Sequence, residues 1–205
     1  MARKVILCTV QFGDLPLDTL CSKAKEFGYD GLELACNDNH VNLDKLSPEY
    51  CEEILATLDK YGLELYGVSN HAVGQCVCDP IDFRHKTILP AHIWGDGEPE
   101  GVRQRAAEEM IKTGKAAAML GTNTVIGFTG SPIWHMLYAF PPMNPDTIDE
   151  GFKEVARRMK PILDSYQEMG VRFALEVHPT EIAFDIASAE QILKAVDYHP
   201  AFGFN

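Results

Sequence analysis

Glu168-Met-Gly170, followed at once by Val171-Arg-Phe-Ala-Leu-Glu-Val-His178, is the stretch whose reading decides the fold. It is the end of an amphipathic helix, a glycine and a strand, with almost nothing between them. A glycine at that point takes the left-handed conformation that ends a helix, so the next strand starts immediately. The same phrase recurs as Lys25-Glu-Phe-Gly28 before Gly31-Leu-Glu-Leu34, as Lys60-Tyr-Gly62 before Leu63-Glu-Leu-Tyr66, and as Met119-Leu-Gly121 before Thr124-Val-Ile126. The helix that feeds Gly170 carries Ile148, Phe152, Val155, Ala156, Met159, Ile162, Leu163 and Tyr166, the three-four spacing of one buried face. Pro161 falls inside that pattern and predicts a kink. Ser47-Pro48 predicts a helix start, a capping hydroxyl followed by proline in the first turn.

Working outward, the pattern places strands near 5–11, 31–36, 63–71, 124–129, 171–178 and 201–205. Helices fall near 16–27, 48–61, 101–120, 146–169 and 187–196. Strands that alternate with helices imply βαβ units and a parallel sheet. Helix-to-strand links are short, whereas strand-to-helix links are long, notably 72–100 and 130–145. The elaboration therefore sits at the carboxyl ends of the strands, where a (β/α) barrel builds its active site. Gly127-Phe-Thr-Gly130 lacks the third glycine of a dinucleotide fingerprint. Barrel is the reading.

The chain has 205 residues, 46% hydrophobic and 23% charged, which excludes a disordered chain. Its net charge of −12 argues against nucleic acid, whose phosphates would be repelled. The apolar run Val5 to Val10 is too short for a signal peptide or a membrane span and reads as a first strand. The scattered cysteines 8, 21, 36, 51, 76 and 78 read as reduced thiols of a cytoplasmic protein, and Cys76-Val-Cys78 has no second pair with which to bind zinc.

Strand alternation assigns each polar side chain a face. In 171–178, Phe173, Leu175 and Val177 point to the helices, and Arg172, Ala174, Glu176 and His178 point inward. An inward carboxylate needs a cation, a hydrogen-bond partner or a raised pKa. His71 ends the third strand on the face of Gly67 and Ser69. Glu33 faces inward from the second strand, either toward a ligand or as the ion-pair partner of Arg172. Gln11 closes the first strand beside Thr9. The long loops contribute Asp79, His85, His92, Trp94, Trp134 and His135. A tryptophan such as Trp134 at a barrel mouth can stack on a sugar ring or simply anchor its loop. Glu181 and Asp185 either meet substrate hydroxyls or cap the helix near Ala187.

Phe173-Ala-Leu-Glu-Val-His-Pro-Thr-Glu181, with Gly67-Val-Ser-Asn-His71 and Tyr29-Asp-Gly-Leu-Glu-Leu34 upstream, resembles the sugar phosphate isomerase/epimerase family, the xylose isomerase-like TIM-barrel group that also contains the family-2 AP endonucleases. The resemblance covers essentially the whole chain. It implies a (β/α)8 barrel, here one partial domain over 1–205 that is truncated after strand six, since a closed barrel takes roughly 250 residues. It implies one divalent metal (Mn, Mg, Co or Zn) held by a Glu at the end of strand five, which Glu176 matches. The remaining ligands, an Asp after strand six, a His on strand seven and a Glu on strand eight, would lie beyond Asn205. His71 matches a histidine over the substrate, and His178 a substrate-contacting position. Phe128-Thr-Gly-Ser-Pro132 has no histidine where the nucleases place one, so a trinuclear zinc nuclease is disfavoured.

The expected function is then isomerisation or epimerisation of a keto-sugar or polyol, phosphorylated or not, through an enediolate. Glu176 and His71 are its catalytic pair, and His178, Glu33, Gln11, Glu181 and Trp134 contact the substrate. The enzymatic alternative is elimination or deglycosylation of a 3-keto-glycoside. The alternative from another class is a non-catalytic barrel fragment or subunit. An open sheet edge at the first and sixth strands predicts a homo-oligomer or a complementing chain.

Overall fold

The computed structural model describes residues 3–136 and 140–205. Along the chain run β1 (Ile6–Cys8), α1 (Leu17–Glu26), β2 (Gly31–Ala35), α2 (Pro48–Tyr61), β3 (Glu64–Ser69), α3 (His71–Gln75), α4 (Ala91–Trp94) and α5 (Pro99–Met119). They are followed by β4 (Thr124–Gly127), α6 (Pro145–Glu168), β5 (Arg172–Leu175), α7 (Ile186–Ala195) and β6 (Phe202–Phe204). The helix-glycine-strand phrase does what its sequence predicts. Gly28, Gly62, Gly121 and Gly170 all have positive φ at the ends of α1, α2, α5 and α6. Ser47 Oγ accepts the Tyr50 amide at the start of α2, and α6 continues through Pro161 to Glu168.

The strands form one parallel sheet in the order β1-β2-β3-β4-β5-β6. An order that never reverses has no topological switch point. With right-handed crossovers it puts every connecting helix on one face, which is the winding of a barrel rather than of a doubly wound sheet. That face is the core. Leu32, Leu34, Val68, Val125, Phe173 and Leu175 are fully buried there against residues such as Met110, Phe152, Leu163 and Tyr166. The Tyr166 hydroxyl donates to the Met110 carbonyl at 2.6 Å, so the one polar atom of this buried ring is satisfied. β1 and β6 are the two edges of the sheet.

Several strand ends differ from expectation. The first strand stops at Cys8, and residues Val10–Phe12 coil into a single 3-10 turn, so Gln11 is an exposed turn residue and not the end of a strand. β3 stops at Ser69, and His71 opens α3. β5 stops at Leu175, leaving Glu176 and His178 in the segment that follows. Gly74 explains the tight path of α3: a Cβ there would lie 2.3 Å from the Phe128 carbonyl oxygen, so only glycine lets the helix rest on the loop after β4. Glu33 accepts the Cys8 thiol at 3.1 Å, and Arg172 is exposed, so the alternative Glu33–Arg172 ion pair is not formed.

Candidate functional site

The parallel register brings His71 and Glu176 to the two sides of the end of β4. Val68 pairs with Val125, and Val125 with Phe173. Beyond the strands the backbone stays stitched: the Asn70 amide donates to the Ile126 carbonyl at 3.0 Å and the Glu176 amide to the Gly127 carbonyl at 3.1 Å. Above that seam His71 Nε2 lies 2.9 Å from Glu176 Oε2. The carboxylate can only accept, so Nε2 carries the proton in this pair. The other ring nitrogen, Nδ1, is buried with no partner among the described residues. The ring of Phe128 lies edge-on to His71 at 4.8 Å and tilted against His178 at 5.3 Å, one aromatic side chain touching both histidines.

His71 is largely buried, whereas the Glu176 carboxylate is 42% exposed. A cleft of about 980 Å³ opens beside them, lined by His71, Phe128, Trp134, His135, Thr180 and Phe184 among others. Mostly apolar walls with a few convergent polar groups are what a small-molecule site requires. Trp134 packs edge-on against Phe184 and Phe152, so it anchors its loop and faces the cleft at once.

The cleft has a rigid rim. Asp79 accepts from Gln75 Nε2 at 2.8 Å and from the Ser131 amide at 2.7 Å, and lies 3.1 Å from His85 Nε2. His85 Nδ1 accepts the Asp82 amide at 3.0 Å, which assigns its proton to Nε2 and makes His85 a donor to Asp79. His85 is buried, with this hydrogen-bond geometry around both ring nitrogens. Gly130 has φ +69, and a Cβ there would lie 2.1 Å from the Gln75 carbonyl oxygen.

Of the residues expected at the site, His71, Glu176, His178 and Trp134 gather around the end of β4 and the cleft. His178 is exposed, with Nδ1 3.3 Å from Thr180 Oγ1. Glu33 is half-buried on β2 beside Cys8, and Gln11 sits on its turn after β1. Glu181 is fully buried: Oε2 accepts from the Thr129 and Gly130 amides at 2.7 and 2.8 Å. Burial pushes its carboxyl up to about 7, partly opposed by those amide bonds. The cap of α7 belongs to Asp185, whose side chain accepts the Ser188 amide at 2.8 Å. His92 pairs with Glu109 at 3.2 Å, away from the histidine pair. Sequence reading missed Phe128, a residue with no chemistry of its own. Its only signal was its position between two strands that both end in polar side chains.

All six cysteines are free thiols, and burial pushes Cys8, Cys36 and Cys76 up to about 12, out of the reactive range. No described helix is long and apolar enough to cross a membrane. Among the described residues no three His, Cys, Asp or Glu side chains come together as a metal centre. Toward the divalent ion that the fold implies, these residues supply the half-exposed carboxylate of Glu176 and not a full coordination sphere.

The family model described as xylose isomerase-like TIM barrel matches residues 21–205. The chain belongs to that family. This xylose isomerase-like barrel gives no match among the curated proteins, but it superimposes on solved structures over nearly its whole length. One is the probable 3-DHS dehydratase AsbF from Bacillus anthracis, at TM-score 0.65 and 21% identity, covering 99% of this chain and 62% of that one. Another is the 3-keto-D-glucoside 4-epimerase YcjR from E. coli, at TM-score 0.65 and 16% identity, covering 98% and 66%. A third is a xylose isomerase-like TIM barrel protein from Mycobacterium smegmatis in complex with magnesium, at TM-score 0.62 and 18% identity, covering 98% and 63%. The chain thus spans less than two thirds of the length of each of these three proteins. At these identities the likeness is one of fold.

Proposed function

We propose that this barrel moves a proton next to the carbonyl of a keto-sugar, acting as a sugar or sugar phosphate isomerase or epimerase. The observation that carries the reading is the His71–Glu176 pair, 2.9 Å apart at the carboxyl ends of β3 and β5 beside the cleft. That is the end of a (β/α) barrel where reactions are carried out. An epimerase and a dehydratase among proteins of the same fold support a carbohydrate-like substrate.

Glu176 in its ionised form takes the proton from the carbon adjacent to the substrate carbonyl. The electron pair of the broken C–H bond moves into a new C=C bond, and the carbonyl oxygen becomes an enediolate oxygen. His71 Nε2–H, freed from Glu176, donates to that oxygen as its charge develops. Delivery of a proton to the opposite face, by an acid other than Glu176, gives the epimer. Return from Glu176 to the neighbouring carbon, with that carbon's hydroxyl proton passed to the first enediolate oxygen, gives the isomer. His178, Glu33, Gln11 and Trp134 are proposed as substrate contacts, and Glu181, fully buried, acts from behind the cleft wall without touching the substrate. A divalent metal, with Glu176 as its ligand from the described residues, would polarise the carbonyl when bound. The two sheet edges are proposed to be covered by further strands in a homo-oligomer or with a complementing chain.

The test is incubation of the chain with a keto-sugar panel in D2O, with and without added Mn or Mg. Deuterium incorporation next to the carbonyl is expected in the wild type and is lost in Glu176→Gln. Absence of exchange across the panel sinks the catalytic reading in favour of a binding subunit. The second reading shares the enolising step but expels a β-substituent, so a 3-keto-glucoside would release its aglycone instead of returning an isomer, and mass spectrometry separates the two.

A further inference from the structure

Glu181 bonds through one oxygen only, and that oxygen carries three donors. Oε2 accepts from the Thr129 amide at 2.7 Å, the Gly130 amide at 2.8 Å and the Thr129 hydroxyl at 3.2 Å. The next amide, Ser131, donates to Asp79 Oδ1 at 2.7 Å. Three consecutive amides bent around a left-handed glycine form a concave nest of the kind that binds anions. Here two of the chain's own carboxyl groups fill it. The nest begins one residue after Phe128, whose ring touches both His71 and His178. Trp134, three residues beyond the nest, donates its indole N–H back to the Glu181 carbonyl oxygen.

We propose that Glu181 is a positioning residue: by filling the nest at residues 129–131 beside Asp79, its carboxyl holds Phe128 against the rings of His71 and His178. This rests on His71 being a site residue, but its readouts below do not depend on turnover. The other oxygen, Oε1, is buried without a partner among the described residues, so these hold the group from one side only. Burial pushes the carboxyl up, and the charge of Asp79 adds to the shift. The titratable groups that face it are Asp79 and the buried Cys78 thiol, from the segment after α3. On α6, Arg158 and Glu154 act on that thiol. His178 meets Glu181 through the backbone alone, its carbonyl accepting the Glu181 amide.

The experiment uses the full chain carrying Trp94→Phe, so that Trp134 is the sole indole. Trp134 emission is followed across neutral pH, and the ring-proton NMR shifts of His71 and His178 are read at one fixed pH. With Glu181 intact, emission is expected to change with a midpoint near 7. Glu181→Gln keeps an acceptor oxygen and carries no titrating proton, so it is expected to lose the midpoint and retain the ring-proton shifts. Glu181→Ala is expected to displace the His71 and His178 shifts, while His199, beside Asp164 on α6, stays in place. Unmoved His71 and His178 shifts in a folded Glu181→Ala chain overturn the proposal. So does a midpoint that survives in Glu181→Gln, which decides the matter alone where the alanine variant does not fold.

Discussion

Two regions at the end of β4 are built from the same kinds of side chain and behave as opposites. In the rim, Asp79 and His85 from the segment after α3, and Glu181 from the segment after β5, are tied to the 128–131 loop through short hydrogen bonds among buried and half-buried groups. Glu181 Oε1 is the one buried rim atom left over among the described residues. In the pair, His71 and Glu176 share one hydrogen bond, with one histidine nitrogen unpartnered among the described residues and the carboxylate 42% exposed beside the cleft that His71 lines. Buried polar groups that satisfy one another rigidify a structure. A pair left incomplete above a cleft retains the capacity to bond something else. The rim holds its loops together, and the pair keeps bonding capacity unused, which is why the proposed chemistry is placed on it.

The largest expected effect strikes the pair. Glu176→Gln keeps the shape and removes the proposed base, so proton exchange on a keto-sugar should fall by about 10²–10⁴-fold, the usual range for a lost general base. Because Glu176 is half-exposed and singly bonded, the thermal midpoint of folding should barely move. A large loss of stability with retained exchange would reverse the roles assigned to the two regions.

Gly130→Ala strikes the rim instead. The substitution puts a side chain in a left-handed conformation and a Cβ 2.1 Å from the Gln75 carbonyl oxygen. Backbone strain of ~1–3 kcal/mol and the clash together should make this variant markedly less stable in urea unfolding. A variant as stable as wild type would show that the rim yields easily, and the contrast with the pair would collapse.

How far this contrast was legible in the sequence depends on the kind of signal. Periodicity marked α6 and the helix-glycine-strand units, because a buried face must repeat at the helical period. Alternation picked out both His71 and Glu176, since each stands where a parallel barrel strand should be apolar. It did not show that they meet, because that depends on the register of β4 between them. Alternation also misled: it carried β3 through His71 and the first strand through Gln11, where the chain instead coils into helical turns. Sequence alone offers Glu181 as a group that meets substrate or caps a helix. Its burial comes from amides more than 50 residues away, which no local pattern encodes. In the sequence Gly130 stands as part of an incomplete phosphate fingerprint, whereas its use in the fold is the close approach of two loops.

A third prediction separates charge from shape within the rim. The folded chain raises the Glu181 carboxyl from 4.5 to about 7, so it binds that proton more tightly than the unfolded chain does. The resulting stability is complete below pH 4.5 and is lost as pH rises through about 7. At about 1.4 kcal/mol per pKa unit, the loss is roughly 3 kcal/mol. Glu181→Gln lacks this titration. The difference in unfolding free energy between the two chains should therefore shift with pH in the variant's favour by up to that amount. A difference independent of pH would mean that the carboxyl is solvated and the rim less dry than its geometry indicates.

The smallest effect tests whether any well-bonded carboxylate near the cleft would serve as well. Asp185 accepts two bonds where Glu181 accepts three: the Ser188 amide at 2.8 Å and the Ser188 hydroxyl at 2.6 Å, in a reciprocal capping box. Its partners are all local, on the first turn of α7, whereas those of Glu181 bridge two loops across the sheet. Asp185→Ala should cost about 1 kcal/mol, the usual loss for a helix cap, and should leave Trp134 emission unchanged. What sets Glu181 apart is then chiefly the distance its bonds span along the chain. A shift in Trp134 emission in Asp185→Ala would show that α7 and the rim move as one body, and the boundary of the rigid region would have to be redrawn to include the helix.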